Sequence, residues 1–125
     1  MKQIIKTERA PAPIGPYNQA ILANGILYVS GQIAINPDTN ELVDSSVEEE
    51  TKQVMSNLTA ILDEAGYGFE DVVKTTIFLT DMGLFPIVNT IYGSYFTSDF
   101  PARETVEVAG LPKGVRVEIS VIATK

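Results

Sequence analysis

Two runs near the end of the chain alternate between apolar and polar positions. From Arg103 to Val108, Arg103, Thr105 and Glu107 take one parity and Glu104, Val106 and Val108 the other. From Val115 to Val121, Val115, Val117, Ile119 and Val121 alternate with Arg116, Glu118 and Ser120. A repeat of two is the period of a strand, and each parity then occupies its own face. The intervening Gly110-Leu-Pro-Lys-Gly114 has the composition of a turn, so the pattern predicts an antiparallel hairpin. One register satisfies both faces: Glu107 against Arg116, Thr105 against Glu118, Val108 against Val115 and Val106 against Val117. Arg103 then lies diagonal to Glu118. This register predicts one polar face carrying a guanidinium, a hydroxyl and a carboxylate.

The same reading extends along the chain. Lys2 to Ile5 forms a short opening strand, and Arg9 to Tyr17 is an extended loop because Pro11, Pro13 and Pro16 forbid regular pairing. Gln19–Ala23 and Ile26–Ile33 read as strands around the hairpin signal Asn24-Gly25. Within the second, Ser30-Gly31-Gln32 breaks the apolar run, and Gly31 marks either a bulge or a close approach to the backbone. Ser46-Val-Glu-Glu49 has the spacing of a capping box. The helix after it shows an apolar stripe at Val47, Val54, Leu58, Ile61, Leu62 and Ala65 and stops at Gly66. Glu48, Glu49, Glu50, Lys52 and Asp63 are expected on its solvated face. Val72 to Thr80, rich in β-branched residues, reads as a buried strand. Asp81 can cap the segment after this strand. A second helix is expected over Phe85–Phe96, with Pro86 in its first turn, an apolar face of Phe85, Val88, Ile91, Tyr92, Tyr95 and Phe96, and Asn89 as the polar residue able to turn towards a ligand.

The order β-ββ-α-β-α-ββ predicts an α+β fold, one sheet with two helices on one face. The face carrying Arg103 and Glu118 would stay bare, which predicts a homo-oligomer. A length of 125 residues fits a single domain spanning 1–125.

Composition narrows the chemistry. There is no cysteine and no histidine, so thiolate nucleophiles and Ser-His or Cys-His arrangements are excluded. Carboxylates, Arg, Lys, Tyr, hydroxyls and backbone groups remain, a set suited to a substrate that is already electrophilic. The net charge of −7 argues against nucleic acid bound by general phosphate attraction. No apolar stretch of membrane or signal-peptide length is present, so a cytoplasmic protein without a membrane partner is the default expectation. An Arg fork binds a carboxylate and a nearby Glu can hold a water molecule. The same pair also occurs as a plain solvated ion pair worth about 0–1 kcal/mol.

Several stretches together resemble the Rid/YjgF family, also called L-PSP or reactive-intermediate deaminase family. They are Ala12-Pro-Ile-Gly-Pro-Tyr17, Ser30-Gly-Gln-Ile33, Val73-Lys-Thr-Thr-Ile-Phe78, Asn89-Thr-Ile-Tyr92, Pro101-Ala-Arg103 and Leu111-Pro-Lys113 leading to Val117-Glu-Ile119. The resemblance implies a chorismate-mutase-like fold assembled as a homotrimer, with ligand clefts between subunits. It implies hydrolysis of 2-imino or 2-enamino acids to 2-oxo acids and ammonia, downstream of pyridoxal-phosphate dehydratases and with no metal or cofactor. On this resemblance Arg103 clamps the substrate carboxylate and Glu118 positions the water. Ser30 and Gly31 contact the substrate, Tyr17 closes the cleft, Thr105 adds backbone contacts and Asn89 sits at the cleft wall. Two departures stand out: Glu104 replaces a small residue, and Thr105 stands where the family often has Cys. Alternation points Glu104 away from the Arg103 side. The alternatives are a non-catalytic carboxylate-binding regulator and an endoribonuclease or translation inhibitor.

Overall fold

The computed structural model describes all of residues 1–125. In chain order the elements are β1 (Gln3–Ile5), β2 (Ala20–Ala23), β3 (Ile26–Gln32), β4 (Ile35–Asn36), β5 (Glu41–Leu42), α1 (Val47–Glu64), β6 (Val72–Leu79), α2 (Phe85–Gly93), β7 (Ala102–Glu107) and β8 (Val117–Thr124). Six strands form one mixed sheet in the order β1-β2-β3-β8-β6-β7, and β4 and β5 make a separate two-stranded ribbon. Only β6 and β7 run parallel, joined by the crossover through α2 that parallel neighbours require.

The period-2 pattern of β8 becomes burial. Val117, Ile119, Val121 and Ala123 are sealed from solvent, as are Thr75, Ile77 and Leu79 on β6. α1 lays Val54, Met55, Leu58, Ile61 and Leu62 on this face, and α2 adds Val88 and Tyr92, so both helices cover the same side of the sheet. At the start of α1, Ser46 Oγ accepts the amide of Glu49 at 3.1 Å. The cap is one-sided, because the Glu49 carboxylate turns to Lys52 instead. Asn24 and Gly25 both take positive φ, 53° and 76°, as the predicted hairpin turn demands. No helix is long and apolar enough to cross a membrane.

The predicted hairpin between the last two strands does not form. β6 lies between β7 and β8, setting Ile77 beside Thr105 and opposite Ile119, and Phe78 beside Val106 and opposite Glu118. The physical reason is burial and charge. β6 has its core-facing side chains fully buried and takes a central place with both edges paired. β7 carries Arg103, Glu104 and Glu107 and stays partly exposed throughout, as suits an edge strand. Glu107 therefore does not meet Arg116; its Oε1 accepts the amide of Met82 at 2.7 Å.

Glu50 also departs from the solvated face expected for it. It is 1% exposed and accepts three bonds at the start of β8: Arg116 N and Nε, both at 2.7 Å, and Val117 N at 3.1 Å. Asn57, another buried polar residue of α1, donates to the carbonyls of Ile33 and Ile35. Glu50 thus binds the helix to the start of β8, the strand of Glu118, and Asn57 binds it to the segment that leads from the end of β3, just past Gly31, into β4.

The other face of the sheet has no helix. Ile4, Ile21, Tyr28 and Ile122 line up across it by register, as do Glu118, Phe78 and Val106. Ile4, Tyr28 and Val106 are 56%, 47% and 41% exposed. This bare face carries Glu118 but not Arg103, which corrects the assignment of both to one side.

Candidate active site in two halves

Strand parity divides the predicted site residues. Arg103 is in register with Thr75 and stands on the helix-covered face with Thr105; Glu118 is in register with Phe78 on the bare face. Each group sits in its own cleft.

The first cleft, of about 470 Å³, is lined by Asn89, Tyr92, Gly93, Phe100, Pro101 and Arg103. Arg103 Nη1 donates to Asn89 Oδ1 at 2.8 Å. The guanidinium carbon lies 5.5 Å from the ring centre of Phe85 and 5.2 Å from that of Tyr92, within the range of cation–π attraction. Phe85, Asn89 and Tyr92 share one face of α2 at spacings of four and three, so the helix alone builds the cradle. Tyr92 is itself fixed from below, donating its hydroxyl to Thr75 Oγ1 at 2.9 Å. Burial pushes the Tyr92 phenol up, partly offset by the Thr75 bond and the Arg103 charge, so the ring stays neutral. With one arm held by Asn89, the rest of the Arg103 fork is available to an anion.

The second cleft, of about 400 Å³, is lined by Ile14, Tyr17, Ser30, Gly31, Ile33, Pro112 and Glu118. Pairing of β3 with β8 jumps from Val29–Val121 to Gln32–Ile119. Ser30 and Gly31 are thus a bulge opposite Ser120. Any Cβ at Gly31 would overlap the Glu118 carboxylate, so the bulge and the close approach expected as alternatives are both present. Ser30 is tied to the loop before β2, its Oγ donating to Asn18 O at 2.6 Å and its amide to Gln19 O at 2.9 Å. That loop is held from inside by Gln19, which bonds Thr7, Ala10 and Pro11. The loop delivers Tyr17, 45% exposed, to the cleft mouth. Burial alone raises the Glu118 pKa above its ordinary value, which makes its carboxylate a stronger proton acceptor.

Tyr17, Ser30, Gly31 and Glu118 are therefore gathered in one place, Asn89 and Arg103 in another, with Thr105 beside the second group. A single chain does not bring the two sets together. Phe85 and Tyr92, read from sequence as core aromatics, are cradle residues; they share the Asn89 face of α2, a spacing that core aromatics have as well. Phe100 and Pro101 in one cleft and Ile33 and Pro112 in the other carry no chemistry that would single them out in a sequence. Glu104 points to the bare face, as alternation predicts. The Thr76 hydroxyl, at 2.8 Å, and Lys74, at 3.3 Å, hold its carboxylate below its ordinary pKa.

Comparison with known proteins places this geometry. The family profile described as endoribonuclease L-PSP matches residues 7–125. A RutC family protein of Synechocystis is 57% identical over 97% of the chain and 95% of its own length. The human protein named 2-iminobutanoate/2-iminopropanoate deaminase is 48% identical over 98% of the chain and 90% of its own length. A crystal structure of a conserved Rid family protein from Yersinia pestis superposes with a TM-score of 0.97 at 54% identity, each chain covered completely. With its six-stranded mixed sheet, its two helices on one face and these likenesses over its whole length, the chain belongs to the Rid/YjgF family, also known as L-PSP.

Proposed function

We propose that this protein hydrolyses reactive 2-imino or 2-enamino acids to 2-oxo acids and ammonia, at sites that two copies of the chain build together in a homotrimer. The observation that carries the reading is Glu118: a half-buried carboxylate with a raised pKa, without an ion-pair partner, in a cleft beside an uncovered sheet face. Packing the bare faces of copies around one axis would bury Ile4, Tyr28 and Val106, and because Arg103 stands on the edge strand β7, its cleft would lie at the rim of that packing, where a neighbour's Glu118 cleft can meet it. The 48% identity to a named imine deaminase supports the reaction class.

In this reading Arg103 takes the substrate carboxylate through the arm that Asn89 leaves free, and the Phe85 and Tyr92 rings keep the guanidinium in place. The reacting carbon is that of an iminium, C=NH2+. As the oxygen of a water molecule bonds to this carbon, the π pair moves onto nitrogen and Glu118 accepts a proton from the water. The product is a carbinolamine. Glu118 then returns the proton to nitrogen, the C–N bond breaks as the C=O bond forms, and Glu118 takes the hydroxyl proton and passes it to the departing ammonia. Water and iminium become 2-oxo acid and ammonium, and Glu118 ends as it began. An iminium carbon needs no stronger nucleophile than oriented water, so a chain without His or Cys suffices.

The test generates 2-iminobutanoate in situ with an amino-acid oxidase and follows its decay. Wild type is expected to accelerate it, and Arg103→Ala and Glu118→Ala to lose at least about a hundredfold of that acceleration. Binding of 2-oxobutanoate by the wild type with no acceleration would instead favour the regulatory ligand-binding reading.

A further inference from the structure

Thr105 follows Arg103 by two residues on β7, so its side chain stands on the same face. Its Oγ1 is closed to solvent and has no hydrogen-bond partner. Around it is a crevice lined by Ile77, Leu79, Phe85, Val88, Asn89 and Arg103. The crevice is too narrow to admit a water molecule, so an ordered water does not account for the hydroxyl. Carboxylates of its own strand are also engaged elsewhere, because Glu104 is on the opposite face with Thr76 and Lys74 and Glu107 accepts the Met82 amide. A buried donor without an acceptor destabilises the protein that holds it, and valine would fill the same space without that penalty.

Asn89 and Arg103 line both this crevice and the larger cleft, so the two volumes meet at the Arg103–Asn89 hydrogen bond. A carboxylate has two oxygens and about four sites for donors, more than a fork with one arm engaged by Asn89 can fill. We propose that the Thr105 hydroxyl is a donor to the carboxylate of the bound ligand, taking one oxygen while Arg103 takes the other. The contact forms where the two volumes meet, the crevice widening to admit one carboxylate oxygen while Asn89 keeps its arm of the fork. This rests on the deaminase reading for the identity of the ligand, a 2-oxo or 2-imino acid, and adds a specific binding role for a side chain.

The experiment measures two quantities on wild type, Thr105→Val, Thr105→Ser and Arg103→Ala: the Tm without ligand, and the Kd for 2-oxobutanoate by isothermal titration. Thr105→Val is expected to melt at or above wild type and to bind roughly tenfold more weakly, the size of one hydrogen bond to a charged group. Thr105→Ser, which keeps the hydroxyl, should stay within about threefold of wild type. Two results overturn the proposal: Thr105→Val binding as tightly as wild type, or Thr105→Val melting lower without ligand, which would mean the hydroxyl already has an acceptor in the assembly. Failure of the wild type itself to bind would overturn the ligand assignment as well.

Discussion

Glu118 has two demands on its proton. As a base it must be ionised, whereas burial favours its neutral form. The kcat/KM profile is therefore expected to fall on its acid side at a higher pH than an ordinary glutamate, with a pKa of about 4.3, would set. The same shift acts on stability. The folded carboxyl binds its proton more tightly than the unfolded one, so stability declines as pH rises from the unfolded to the folded pKa, and the penalty is complete above that interval. Glu118→Gln removes the charge and keeps the shape. It should abolish turnover yet melt above wild type at about pH 7.5, with the gain gone at about pH 3.5. Thermal melts across that range check this; a Tm difference independent of pH would remove burial of charge as its cause. At this scale much was legible beforehand. Gly31 announced itself as a glycine inside an apolar strand, and alternation alone turned Glu104 away from Arg103. The Arg103 cradle was not legible, since Phe85 and Tyr92 look like any core aromatics until their guanidinium neighbour is placed between them.

Elements were recovered well, and their neighbours less so. Alternation assigns each side chain of β7 and β8 to a face, but it says nothing about which strand lies alongside. The turn composition of Gly110 to Gly114 favoured the local partner, whereas the sheet favours β6, a strand that needs pairing on both edges to bury Thr75, Ile77 and Leu79. Since register fixes the face, inserting β6 sent Arg103 and Glu118 to opposite sides. Glu50 taught a related lesson: at three residues after Val47 and four before Val54 it falls on the apolar stripe, and its position was a better guide than its charge. It joins α1 to β8 through three accepted hydrogen bonds. Glu50→Ala is expected to cost about 3 kcal/mol or more, because it leaves buried amides and the Arg116 guanidinium without their acceptor. Chemical denaturation checks it. A loss under about 0.5 kcal/mol, the usual size of a surface substitution, would mean the clamp is not holding the two elements together.

For the whole molecule, the division of the site is the main consequence of the topology. One sheet presents Glu118 and an uncovered row of Ile4, Ile21, Tyr28 and Ile122 on one side, and Arg103 under α2 on the other. No rotation of side chains carries a glutamate through a sheet, so a reaction that uses both residues has to use two copies. A site shared between copies behaves differently from a one-chain site when variants are mixed. Arg103→Ala and Glu118→Ala chains, each inactive alone, should restore each other when unfolded together in equal amounts and refolded. An intact site then arises wherever the Arg103 of one variant meets the Glu118 of the other, giving about a quarter of the wild-type rate by random assortment. Recovery near that level, with each variant refolded alone remaining inactive, is the result this account predicts. Mixed assemblies that form and stay inactive would contradict it, and would place both residues' work within a single chain or remove one of them from the reaction.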